Sequence, residues 1–130
     1  MIRFGAKELV ARATSEIETI PIQDATKLMD DKETVFVDIR DIRELERDGT
    51  IPGSIHVPRG MLEFWVDPKS PYHKDVFSSN KKFVFFCASA WRSALATKTV
   101  QDMGLEKVAQ LEGGLTAWKK LNYPIEERQR

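Results

Sequence analysis

A chain of 130 residues is long enough for one domain with its own core and needs no disulfide or structural metal to hold it. Twenty basic and twenty acidic residues cancel to a formal net charge of zero, so no overall field recruits nucleic acid or an anionic membrane surface. A single cysteine excludes an internal disulfide, the start Met-Ile-Arg-Phe-Gly-Ala-Lys-Glu lacks the apolar core of a signal peptide, and no apolar stretch approaches the ~20 residues of a membrane span. The expectation is a cytoplasmic protein with neither a nucleic-acid nor a membrane partner.

Leu9, Val10, Ala13 and Ile17 recur at helical spacing and predict an N-terminal amphipathic helix, followed by an extended run around Ile20 and Ile22. Ala25, Leu28 and Met29 give a second, short helix. Val35-Phe36-Val37-Asp38-Ile39 is nearly continuously apolar, the pattern of a strand buried on both faces. Asp41 followed by Glu44 predicts a helix start, with Asp41 accepting N–H bonds, Ile42 and Leu45 turned to the core, and Gly49 at the end. Ile51-Pro52-Gly53-Ser54 is turn chemistry leading to a short strand, Ile55-His56-Val57, that Pro58 stops.

Residues 59–80 read as a mobile flank: Met61, Leu62, Phe64 and Trp65 sit at partly helical spacing, and Asp67-Pro68 and Ser70-Pro71 favour irregular backbone. For Phe64 and Trp65 two readings stand, core residues or caps over the site from this segment, and helical spacing favours the core. Residues 83–86 restore the buried-strand pattern, and Ala96, Val100 and Met103 place one apolar stripe on a helix ending at Gly104. Val108-Ala109-Gln110-Leu111 predicts the last strand. Glu112-Gly113-Gly114 then turns into a helix carrying Leu115, Trp118 and Leu121, which Asn122 and Pro124 terminate. The organisation expected is an N-terminal helical extension over 1–17, a single domain over 18–123 and a frayed charged tail over 124–130. Strands alternating with helices, without hairpin dipeptides, predict an α/β fold: a mostly parallel sheet with helices on both faces.

The chemistry concentrates at Cys87. A core cysteine belongs inside a strand or on a helix face, whereas Cys87 leaves an apolar strand and enters the short loop Ala88-Ser89-Ala90-Trp91-Arg92 ahead of a helix. Unpaired N–H groups at that helix start, with Arg92 five positions on, favour the thiolate and make Cys87 a candidate nucleophile. Ligands of open parallel sheets bind beyond the carboxyl ends of the strands, where residues 38–40, Pro58-Arg59, residues 87–92 and Gly113-Gly114 are expected together.

Four stretches carry a resemblance: Val37-Asp38-Ile39-Arg40 with Glu44-Leu45; Gly49-Thr50-Ile51-Pro52-Gly53-Ser54-Ile55-His56-Val57-Pro58; Cys87-Ala88-Ser89-Ala90-Trp91-Arg92-Ser93; and Leu111-Glu112-Gly113-Gly114 with Trp118. In this order the chain resembles the single-domain rhodanese (sulfurtransferase) family over roughly residues 18–123. The resemblance implies a five-stranded parallel sheet and a six-residue loop whose cysteine carries sulfur as a persulfide. It also implies a small anionic sulfur donor such as thiosulfate, an external thiol or cyanide as acceptor, and no metal or organic cofactor. Cys87 is then the catalytic residue. Ala88, Ser89 and Ala90 let loop amides curl around the sulfur, Arg92 attracts the donor, Trp91 walls the mouth, and Arg59 is a further candidate donor contact. Two positions depart from the family: Ala90 and Thr50 stand where glycine and histidine are usual, and a left-handed backbone at Ala90 would cost about 1–2 kcal/mol.

The second reading of the same domain is a persulfide carrier or sulfur-relay module acting with a partner protein. Related phosphatases and arsenate reductases place five residues between cysteine and arginine, whereas here there are four, residues 88–91, a ring better sized for one sulfur than for a tetrahedral oxyanion. Asp38, Arg40 and Glu44 are read as structural, Arg40 and Glu44 as a pair four apart. His56 and His73 lack partners at metal-ligand spacing, and Gly113-Gly114 lacks a phosphate-loop pattern and is read as a tight turn.

Overall fold

The computed structural model describes residues 1–128. In chain order it contains α1 (Ala6–Glu16), β1 (Glu18–Ile20), α2 (Ile22–Ala25), β2 (Thr34–Asp38), α3 (Ile42–Asp48), β3 (Ile55–His56), α4 (Leu62–Val66), β4 (Lys82–Phe86), α5 (Trp91–Met103), β5 (Val108–Leu111) and α6 (Gly114–Lys120), with short 3-10 turns between. The five strands form one sheet in the order β1-β5-β4-β2-β3, every pair parallel. This is the α/β architecture the strand–helix alternation predicts.

The alternation of side chains along each strand divides the core in two. Phe83, Phe85 and Cys87 join Val37, Ile39, Leu62, Val66, Ala96 and Val100 under α4 and α5. Val84 and Phe86 join Phe36, Ile20, Ala25, Leu115 and Trp118 under α2 and α6. β2 and β4 are central and covered on both sides, which is why they read as apolar runs. α1 packs along α5, where Gln101 Nε2 donates to Glu16 O at 2.8 Å and Lys98 Nζ lies 3.3 Å from the Glu16 carboxylate.

Several expectations are corrected. Ile42 is 39% exposed while Leu45 carries the buried face of α3. As the first helical residue, its side chain tilts toward the helix start and projects past the end. Phe64 is also outside the core, at 52% exposed. Leu62 and Val66, four apart, form the buried stripe of α4, and position 64 falls on the opposite side. Trp65 is partly buried against the core. The stretch over 59–80 brings Leu62, Val66 and Phe77 into that core and is tied by Lys74 N donating to Trp65 O at 2.9 Å. Met103 and Leu121 lie exposed at their helix ends.

The body also reaches further along the chain than residue 123. Trp118 Nε1 donates to Pro124 O at 2.6 Å, and Thr50 and Glu126 exchange two backbone hydrogen bonds of 2.9 Å in an antiparallel bridge. Gly49, at φ +77°, faces this bridge so closely that a Cβ would stand 2.9 Å from Glu126 O. Gln129 and Arg130 of the predicted tail lie outside the described residues. Among the described residues no helix is long and apolar enough to cross a membrane.

Candidate functional site

The loop that follows β4 is shaped by one backbone conformation. Ala90 has φ 71° and ψ 11°, the left-handed region, and its reversal turns the chain into α5 at Trp91. A Cβ in that region costs about 1–2 kcal/mol, while glycine there costs back part of the gain through a freer unfolded chain. Ala90→Gly is therefore expected to raise Tm by about 2–4 °C. An unchanged or lowered Tm in a calorimetric scan would contradict the strain assigned here.

Cys87 is only 1% exposed, and its sulfur looks along the start of α5. The Ser93 amide donates to Sγ at 3.4 Å, and Sγ lies 3.6 Å from Ser93 Oγ. Ser93 Oγ in turn donates to Gln110 Oε1 at 2.8 Å, and Gln110 Nε2 donates to Thr19 Oγ1 at 3.3 Å. A polar chain thus runs from the sulfur through β5 to the edge strand β1. The loop entry is held from the other face, where Leu115 N donates to Cys87 O at 2.9 Å and Thr116 N to Ala88 O at 3.0 Å. Gly114, at φ +61°, makes this docking possible, since a Cβ there would lie 2.6 Å from Cys87 O and 2.7 Å from Ala88 O.

Arg92 is committed to a carboxylate. Its Nη1 and Nη2 donate to Glu44 Oε1 and Oε2 at 2.7 and 3.1 Å, a bidentate pair across 48 positions of sequence. The Glu44 hydrogen bonds hold Arg92 above its ordinary value, with a smaller push in the same direction from Cys87 beside it. Glu44 is correspondingly held below the usual carboxylate range, chiefly by Arg92. The pair's stabilisation is thus present above the ordinary glutamate value and lost as pH falls through the depressed one. Arg92 borders the sulfur, but Glu44 cancels much of its field. The expected Arg40–Glu44 pair does not form.

Arg40 instead lies buried on Asp38. Its Nε and Nη2 donate to Asp38 Oδ1 and Oδ2 at 3.0 and 2.8 Å, and Nη2 also donates to Gly49 O at 2.7 Å. Thr50 Oγ1 donates to Asp38 Oδ2 at 2.7 Å, so Thr50 is part of the cluster. His56 Nε2 bonds the Arg40 carbonyl at 2.7 Å, and His73 Nε2 bonds Ser78 Oγ at 2.9 Å. Neither imidazole is brought to the sulfur by these bonds.

The remaining predicted site residues divide. Ala88 and Ala90 are partly buried in the loop, while Ser89 and Trp91 face outward, Trp91 at 51% exposed. The Arg59 amide donates to Ile39 O at 3.2 Å, at the carboxyl end of the sheet as expected. Its guanidinium, however, donates to Glu63 Oε1 at 2.8 Å and Thr99 Oγ1 at 3.4 Å. Thr99 lies about 12 Å along α5 from Trp91 at the helical rise of 1.5 Å per residue. Sequence reasoning gives Ser93 and Gln110 no part in the site, reads Glu44 as structural, and expects Gly114 at this end of the sheet only as a tight turn. Gln110 carried a legible signal, an amide in the middle of an otherwise apolar strand.

Known proteins share this fold. A family model described as Rhodanese-like domain matches residues 22–121. A putative sulfurtransferase of Bacillus subtilis, YtwF, is 29% identical over 104 residues, covering 80% of this chain and 89% of that protein. The solved structure of a protein of unknown function from Rhodopseudomonas palustris, described as a possible tyrosine phosphatase, superposes with a TM-score of 0.94 at 55% identity, covering 97% of each chain. The polysulfide-sulfur transferase homodimer of Wolinella succinogenes superposes with a TM-score of 0.70 at 29% identity, covering 94% of this chain and 87% of that one. A parallel five-stranded sheet with its cysteine loop opening α5, together with a domain match over most of the length, means that the chain belongs to the rhodanese-like domain family.

Proposed function

We propose that the protein is a sulfurtransferase that carries sulfane sulfur on Cys87. The observation that supports this most is the setting of the chain's sole thiol: it lies just ahead of a 13-residue helix, takes an amide hydrogen bond from Ser93, and adjoins a loop of small residues. Such a setting suits an anion one atom longer than a thiolate. The Cys87 thiolate attacks the outer sulfur of a donor such as thiosulfate. A new S–S bond forms, the donor's sulfur bond breaks, and sulfite or a thiolate leaves with the electron pair. An acceptor thiol or cyanide then attacks the outer sulfur of the persulfide, and the Cys87 thiolate returns. Ala88, Ser89 and Ala90 allow the loop amides close approach, Trp91 walls the mouth, and Arg92, oriented by Glu44, supplies positive charge beside the sulfur. Arg59 joins this set as a donor contact by exchanging Glu63, an i,i+4 pair worth only about 0.3–0.5 kcal/mol. The sulfur-transfer names of the Bacillus subtilis and Wolinella succinogenes relatives support the same reading.

A carrier working with one protein partner is the second reading. The near-complete burial of Cys87, next to a half-exposed Trp91, favours it over free access by small molecules. The phosphatase description of the Rhodopseudomonas palustris relative supplies a third outcome. Against it stand four residues between Cys87 and Arg92 and a guanidinium already paired with the Glu44 carboxylate through two hydrogen bonds. Steady-state assays with thiosulfate, mercaptopyruvate and low-molecular-weight persulfides separate the three. Saturable turnover that Cys87→Ala abolishes is the expected result. Turnover with a single protein donor supports the carrier, and Cys87-dependent hydrolysis of a phosphate ester without sulfur transfer would overturn both.

A further inference from the structure

The polar chain behind the sulfur contains one hydrogen that has to choose between two acceptors. Ser93 Oγ has a single proton, and at 2.8 Å it is given to Gln110 Oε1. Toward Cys87, 3.6 Å away, Oγ is thereby an acceptor, and an acceptor favours S–H over the thiolate. Gln110 and Ser93 are both buried, so no solvent stands in for a missing partner. The Gln110 amide takes this orientation with its nitrogen on Thr19 Oγ1. Turning that amide over reverses every bond in the chain. Nε2 then donates to Ser93 Oγ, the Thr19 hydroxyl donates to Oε1, and the Ser93 proton points at the sulfur. Each donor still has an acceptor in the second arrangement, but the sulfur now meets a donor, which favours its anion.

We infer that Gln110 is a positioning residue: through Ser93 it sets whether the cysteine sulfur faces a hydrogen-bond acceptor or a donor, and so how readily Cys87 becomes the nucleophile. The charged surroundings of the sulfur are separate from this chain. Arg92 on α5, with Glu44 of α3 on it, stands beside the sulfur, while the Asp38–Arg40 pair at the end of β2 and His56 of β3 on the Arg40 carbonyl form a cluster of their own. β5 and β1 bring only the uncharged Gln110 and Thr19 to the relay, and the first turn of α6 brings the amides of Leu115 and Thr116 to the loop carbonyls. The inference rests on Cys87 being the reacting group of the proposed function, yet it concerns ionisation alone.

The single cysteine makes the test clean, because the ultraviolet absorbance of thiolate, taken as the difference from Cys87→Ser protein, reports this sulfur only. Gln110→Leu and Gln110→Met remove the acceptor that holds the Ser93 proton and free it for the sulfur, so the thiolate profile is expected to move toward acid by about one pH unit. In a Ser93→Ala background the same replacements are expected to move it no further. A profile unmoved by either replacement, or one that moves equally with and without the Ser93 hydroxyl, would overturn the inference. If one replacement fails to fold, as circular dichroism would show, the other decides. Failure of the sulfur-transfer reading looks different: the profile shifts as expected and the protein accepts no sulfur.

Discussion

Asp38→Ala is expected to destabilise the fold by about 3–5 kcal/mol, a large share of the 5–15 kcal/mol that holds a typical domain together. The reason is the partner it leaves behind. Asp38 is 0% and Arg40 1% exposed, and the guanidinium receives its charge compensation inside the protein from Oδ1 and Oδ2 at 3.0 and 2.8 Å. Asp48, another carboxylate near Arg40, stands at 3.9 Å. Removing Asp38 strands a buried cation and takes a hydrogen-bond acceptor from Thr50 Oγ1. The pair itself is a weaker source of stability than its breakage suggests, since desolvating two charges offsets most of their attraction. Asp38→Leu with Arg40→Met should therefore recover much of the loss. Urea unfolding of the single and double variants checks both statements. A single variant that loses less than about 1 kcal/mol would show that water reaches Arg40.

Gly114→Ala is expected to act on the loop directly. The added methyl would meet Cys87 O at 2.6 Å, Ala88 O at 2.7 Å and Ala88 C at 2.8 Å, all backbone atoms with no rotamer to retreat into. The left-handed φ costs about 1–2 kcal/mol and forced overpacking a further 1–3 kcal/mol, so a loss of about 3 kcal/mol is expected. The chain yields by moving β4's exit away from α6, which lengthens the Leu115 and Thr116 hydrogen bonds to the loop. Sulfur transfer by the fraction that remains folded should then fall along with stability. A Gly114→Ala protein with unchanged Tm and full turnover would refute the role given to this glycine.

What sequence reasoning captured and what it missed divide along a physical line. β2 and β4 were legible because strands covered on both faces have no polar side to hide, and the cysteine loop was legible because Cys87 follows such a strand immediately. α5 and its glycine end were legible because periodicity is a property of one helix alone. The partners were not. Arg40 and Glu44 are four apart on a chain that does not continue as one helix between them, so the i,i+4 rule misassigned both. Asp38, two residues before Arg40, and Arg92, 48 residues after Glu44, took the bonds instead. Helical spacing likewise placed Phe64 in the core, although Leu62 and Val66 already used the inward face of so short a helix. The Thr50–Glu126 bridge that ties the last turn of the body has no local signal, because a two-residue pairing leaves no period to read.

The proposed chemistry requires Cys87 to hold a second sulfur atom. Intact-protein mass spectrometry after brief exposure to a sulfane-sulfur donor tests it most directly. The prediction is a mass increase of one sulfur, localised to the peptide carrying Cys87, removed by an acceptor thiol and absent from Cys87→Ser. Sulfur that remains on the Cys87→Ser protein, or native protein that takes up none from thiosulfate, polysulfide or a persulfide, would contradict the claim.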